Sequence, residues 1–130
     1  MEGGIDRLCD LSNVYWDASV VQESIVFKVF FDRVDPARVM YGTDLPIMAM
    51  RGRRICINGA WMDVTRETKP WTATRNPENP IRGTFMTYEM IRAMREGATA
   101  AGLGDADLAL IFFENGMRLI EGARRNLERA

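Results

Sequence analysis

Two short β-favouring runs joined by one amphipathic helix constrain this chain more than any other feature. Asn13 to Asp17 (Asn-Val-Tyr-Trp-Asp) is the first run, bounded by Ser12 before it and Ala18-Ser19 after it. Gln22 to Arg33 then places Ile25, Val26, Val29 and Phe30 at helical spacing, with Val34 continuing the stripe and Glu23 suiting the helix dipole. Pro36 helps to stop this helix. Arg38 to Tyr41 is the second run, and it leads straight into Gly42-Thr43-Asp44-Leu45-Pro46. A strand, a helix and a strand of these lengths make one βαβ unit, whose parallel strands need a right-handed crossover. Such a pair wants helices on its faces and further strands at its edges. Two strands cannot close a barrel, so open edges and uncovered apolar faces are expected, and self-association with them.

The segments on either side have different characters. Before the first run, Ile5, Leu8 and Cys9 share one side of what reads as the end of a helix. From 47 to 83 the chain makes an excursion. Ile55-Cys56-Ile57 and Trp61-Met62-Asp63-Val64 flank Asn58-Gly59-Ala60, and Asn-Gly between β-favouring runs is a strong hairpin signal. Lys69-Pro70-Trp71 and Asn76-Pro77-Glu78-Asn79-Pro80 read as extended, proline-punctuated loop. Long excursions of this kind tend to be binding loops or lids. Helical period returns at Thr87, with Tyr88, Met90, Ile91 and Met94 as the expected apolar stripe and Gly102 as the expected C-cap. Asp105 is the expected N-cap of a short helix through Phe113, and Asn115 opens a last helix with Met117, Leu119, Ile120 and Leu127 on its apolar side. Residues 1–130 are expected to form a single domain.

Composition excludes several kinds of chemistry. The 130 residues contain no histidine, which removes the commonest metal ligand, the usual general base and every Ser-His or Cys-His nucleophile together. The formal net charge is -1, which draws the chain neither to nucleic acid nor to an anionic membrane. Arg118, Arg124, Arg125 and Arg129 alternate with Glu121 and Glu128, as on a solvated helix face. Cys9 and Cys56 form no CxxC pair, which fits a reduced, intracellular protein. No apolar run reaches the length of about 18 residues that spans a bilayer, and Met1 to Asp10 do not read as a signal peptide, so the cytoplasm is the expected compartment.

Tyr41-Gly42-Thr43-Asp44-Leu45-Pro46 is the most informative segment. In a (β/α) barrel the carboxyl ends of the strands line the active-site mouth, so an acid placed there reads as functional. The structural alternative is that Asp44 caps the next turn and Pro46 fixes its entry. Position alone leaves both open.

Three ordered segments resemble the last part of the amidohydrolase-related family, which includes the aminocarboxymuconate-semialdehyde-decarboxylase-like enzymes. The seventh strand of such barrels is similar to Asn13-Val14-Tyr15-Trp16-Asp17-Ala18-Ser19, and the eighth to Val39-Met40-Tyr41-Gly42-Thr43-Asp44-Leu45-Pro46. The closing helix is similar to Glu114-Asn115-Gly116-Met117-Arg118-Leu119-Ile120. The resemblance implies an α/β fold made of the last two βα units of a TIM-type barrel, with the hairpin excursion and C-terminal helices appended. It implies that Asp44 sits at a divalent metal, Zn or Mn in the family, and helps to activate water or position a small carboxylated substrate. The family's remaining ligands, a His-x-His pair on the first strand and histidines on the fifth and sixth, have no counterpart here. One carboxylate cannot replace the roughly three protein ligands of a catalytic zinc. The expectation is therefore a chain that binds no metal alone and turns over no substrate alone, and whose partner is a second copy or a complementary barrel half.

Other residues carry weaker signals. Arg51, Arg53 and Arg54, with Trp61 and Trp71, could grip an anionic substrate in a complete enzyme, or the hairpin could simply lie on the barrel. Asp17 could share a site with Asp44 or serve as a loop cap. Cys56 reads as an inert thiol, and the nine methionines read as gap-filling core, with a Met-rich partner groove as the alternative. Three function classes follow: an inactive segment of a metal-dependent hydrolase or decarboxylase, a non-catalytic binding or assembly module on the same scaffold, and a metal-free enzyme using Asp17, Asp44 and an arginine.

Overall fold

The computed structural model describes residues 2–65 and 83–129. The loop expected around Lys69-Pro70-Trp71 and Asn76–Pro80 lies outside the described residues. The chain opens with α1 (Glu2–Cys9), β1 (Trp16–Asp17), α2 (Ser24–Phe31) and β2 (Val39–Met40). A hairpin follows, β3 (Gly52–Ile57) and β4 (Ala60–Thr65), and then α3 (Met86–Ala100), α4 (Asp105–Ala109), a π-helical turn over Leu110–Glu114, and α5 (Asn115–Leu127). This is a mixed α/β architecture. Among the described residues it contains two separate two-stranded sheets and no closed barrel. No helix among the described residues is long and apolar enough to cross a membrane.

β1 and β2 pair in parallel, Trp16 with Val39 and Asp17 with Met40, around the α2 crossover. Both strands are shorter than the β-favouring runs. Arg38 belongs to a 3-10 turn, Pro36–Arg38, whose cap is the Asp35 carboxylate accepting from the Ala37 N–H at 2.8 Å. The Arg38 guanidinium then ties the start of β2 to the incoming chain, donating to the carbonyls of Val14 at 2.9 Å, Cys9 at 2.7 Å and Leu11.

The outer edge of β2 is not open. The Asn115 side chain donates to the Val39 carbonyl at 2.8 Å and to the Pro36 carbonyl at 2.8 Å. The Tyr41 N–H donates to the Ile111 carbonyl at 2.8 Å. A π-helical turn widens the hydrogen-bonded ring and turns a carbonyl outward, and here that segment supplies what a neighbouring strand would otherwise supply. Any strand docking at this edge would have to displace Ile111 and Asn115. β1, by contrast, pairs with no second strand among the described residues.

The core lies where α2 and α3 cross beneath the parallel pair. Phe27, Phe31 and Val34 meet Val39, Met48, Met86, Met90, Met94 and Ala98. Met48, Met86, Met90 and Met94 are fully buried, as gap-filling residues. A Cβ built on Gly97 would stand 2.7 Å from the Ser24 carbonyl and would overlap Phe27, so this glycine lets the two helices touch. The face of α2 differs from expectation. Ile25 is 63% exposed, whereas Phe27 and Phe31 point inward, because the larger aromatic pair reaches α3 and outcompetes the smaller aliphatics. On α3, Tyr88 is likewise exposed while Met86, Ala93 and Ala98 are buried.

The turn chemistry follows the sequence. Asn58 and Gly59 take φ 49 and 79, the left-handed pair of a two-residue hairpin turn, and set the register Arg54 opposite Asp63. Gly102 (φ 80) ends α3, with its own N–H on the Thr99 carbonyl and the Leu103 N–H on the Ala98 carbonyl, a paired C-terminal cap. α4 starts one residue earlier than expected, with Gly104 as N-cap and Asp107 accepting from the Gly104 N–H at 2.9 Å.

Candidate functional site

The carboxyl ends of β1 and β2 bring Asp17 and the Gly42–Asp44 turn together. The Asp17 carboxylate accepts from the Ser19 N–H at 2.7 Å, a local cap of the turn that leaves β1. It also rests against the Gly42 backbone, where any Cβ would collide with it. Asp44 follows with φ 47, a left-handed conformation that aspartate tolerates better than most side chains. Its side chain is exposed and accepts no hydrogen bond from the described residues, while its carbonyl accepts from the Met48 N–H at 3.3 Å. Both readings of Asp44 thus retain a basis: it shapes the turn through its backbone, and its carboxylate is bonded to none of the described residues.

Beside this turn lies a polar network. Arg54 holds Asp63 through two parallel bonds, Nε to Oδ1 at 2.6 Å and an Nη to Oδ2 at 2.8 Å. Such a fork is the strongest common ion-pair geometry. The hydrogen bond to Asp63 raises the Arg54 pKa against the opposing effect of burial, and the Asp44 carboxylate adds a smaller contribution in the same direction. Arg54 is therefore a guanidinium within electrostatic reach of Asp44. Gln22, fully buried, accepts from the Arg54 N–H at 2.7 Å and donates to the Met48 sulfur at 3.7 Å. It anchors the hairpin to the turn between β1 and α2.

The other expected substrate-binding residues take separate positions. Arg51 lies over the Phe85 ring at 4.6 Å, a cation–π arrangement. Arg53 donates to the Gln22 carbonyl at 3.3 Å, stands 3.7 Å from the Glu23 carboxylate, and its charge is felt at Glu89. Trp61 is 47% exposed on the outer half of the hairpin, across from Cys56. Trp71 lies outside the described residues. Neither Gln22 nor Asp63 stands out in the sequence as a site residue. Asp63 was within reach of it, because a two-residue turn at Asn58-Gly59 necessarily sets residue 54 opposite residue 63; Gln22 carries no such signal.

Among the described residues no three His, Cys, Asp or Glu side chains come together in a group that could hold an ion. Asp17 accepts from the Ser19 N–H through one oxygen, and no third donor group joins Asp17 and Asp44 among the described residues. These residues alone do not fit a catalytic zinc, which usually takes about three protein ligands.

A cavity of about 320 Å³ opens beside β1, lined by Ile5 of α1, Asp17, Ala18, Val21 and the α2 residues Ile25 and Phe30, among others. Its walls are apolar apart from Asp17, so it offers contact area and no chemistry of its own.

Comparison with protein-family models, with curated proteins and with solved structures finds no match for this chain.

Proposed function

We propose that this chain supplies the last two βα units of an amidohydrolase-related barrel, contributing the strand-end carboxylate of Asp44 to a metal-dependent hydrolase or decarboxylase of small carboxylated substrates, and that it is inactive alone. The observation that carries the reading is the parallel β1–β2 pair with Asp44 immediately beyond its carboxyl end. That is where barrel enzymes place their reacting groups. In the assembled site Asp44 would take up or position a proton. The histidine ligands for Zn or Mn would come from a complementary barrel half, and β1 has an edge that pairs with no strand among the described residues.

Expressed together with the histidine-bearing strands of a barrel from the amidohydrolase-related family, the chain should copurify with them and the complex should hold metal that is lost in Asp44→Asn. A complex that never forms, or one whose metal content ignores Asp44, would contradict the proposal.

A second reading has its own observation. Ile111 and Asn115 already close the outer edge of β2, as suits a scaffold that stands without further strands on that side. On this reading the chain is a non-catalytic binding or assembly module, and a second copy is its natural partner. A chain that folds cooperatively and self-associates without any barrel half would favour it.

A further inference from the structure

The apolar stripe of α5 faces outward. The helix is held to the body by its other side, through buried Asn115 and through Arg118, which donates to the Ala37 carbonyl at 2.6 Å. Ile120 is 65% exposed and Leu127 is 79% exposed. These two large residues are a heptad apart, and two small ones, Gly116 and Ala123, are spaced the same way between and before them. A Cβ built on Gly116 meets nothing within 4 Å, so none of the described residues fills the notch. A glycine near the start of a helix body costs about 1 kcal/mol relative to alanine, and no contact with the described residues accounts for it, at Gly116 or at Gly122 on the body side. The charged residues of α5 are engaged along the helix on another flank, Glu121 with Arg125 at 3.9 Å and Arg124 with Glu128 at 2.9 Å. The stripe itself carries no charge.

We propose that α5 pairs antiparallel with α5 of a second copy across a two-fold axis. In an antiparallel helix pair each first heptad position faces a fourth position of the other helix. Ile120 then sits over the second copy's Ala123, and Leu127 fills the notch at the second copy's Gly116. Symmetry repeats both contacts, so all four layers match a large side chain with a small one. A parallel pair would instead set large against large and small against small, with crowding and voids in alternate layers. The size alternation makes this helix complementary to itself in the antiparallel orientation, which is the condition a two-fold interface needs. The inference rests on α5 alone and deepens only the self-association part of the reading above.

Sedimentation equilibrium on the full chain across the micromolar range tests it, with circular dichroism confirming that each variant stays folded. The wild type should be a dimer, and Ile120→Glu with Leu127→Glu should weaken it by about tenfold or more without unfolding the monomer, because both side chains are solvent-exposed there. Ala123→Leu separates this geometry from general stickiness: it makes the stripe more apolar, yet it should weaken the dimer by occupying the slot for Ile120. A monomeric wild type, a dimer indifferent to the double glutamate variant, or a tighter dimer in Ala123→Leu would each overturn the inference. None of these outcomes bears on whether Asp44 serves a metal site.

Discussion

The carboxylate of Asp17 lies so close to the Gly42 backbone that no other residue fits at position 42 without moving it. This contact joins the ends of the two parallel strands and sets the path into the Asp44 turn. The clash falls on the end of a flexible side chain, so Gly42→Ala should cost about 1 kcal/mol, the worth of the Ser19 bond that Asp17 gives up when it moves, measured by urea denaturation. Shortening Asp17 in an Asp17→Ala, Gly42→Ala double variant should recover part of that loss, because the two side chains compete for one space. Additive losses would show that Gly42 is needed for a different reason.

The β2 edge gives a second expectation. Asn115→Leu keeps the approximate volume but leaves the Val39 and Pro36 carbonyls without the donors they now have. The cost of such orphaned buried acceptors is about 1–3 kcal/mol. Amide exchange should also quicken at Tyr41, whose N–H depends on the same helical segment. An Asn115→Leu chain with unchanged stability would mean that water or a rearranged backbone replaces these bonds.

How much of this was legible in the sequence depends on the range over which each signal acts. The hairpin, the βαβ order, the α3 cap at Gly102 and the buried methionines follow from local turn chemistry and periodicity. The inward face of α2 does not, because Ile25 and Phe27 both fit a helical stripe and only the presence of α3 with Gly97 decides for Phe27. The π-helical closure of β2 was equally hidden, since it joins Asn115 to Val39 across a long stretch of chain. In the site, Asp44 was marked by its place after a strand, whereas Gln22 gained its role only when the hairpin folded back onto the turn before α2.

Gln22→Leu should loosen that attachment. The Arg54 N–H loses its acceptor, and a buried unpaired donor costs about 1–3 kcal/mol. Exchange protection should fall first in β3 and β4 and leave α2 and α3 unaffected. A uniform loss across the whole chain would show that the hairpin and core form one cooperative unit.

Stability should also fall with acid through Glu89. Its carboxylate accepts from the Thr84 hydroxyl at 2.7 Å and, secondarily, from Arg92 at 2.6 Å, and these bonds lower its pKa against the opposing effect of burial. A carboxylate with a depressed folded-state pKa contributes stability that is complete above its unfolded value. That contribution is lost as the pH drops through the folded value. The acid limb of a stability–pH curve should therefore be shallower in Glu89→Gln at pH values below the ordinary glutamate range. Parallel curves for the two proteins would contradict this assignment.

On the proposed function, Asp44 is one ligand of a metal site that this chain does not complete by itself. Native mass spectrometry of the purified chain with added Zn²⁺ or Mn²⁺ tests it most directly. No stoichiometric metal is expected, for the wild type and for Asp44→Asn alike. One tightly held ion per chain, lost in Asp44→Asn, would contradict it, since it would mean that carboxylates and cysteines here complete a site without histidine.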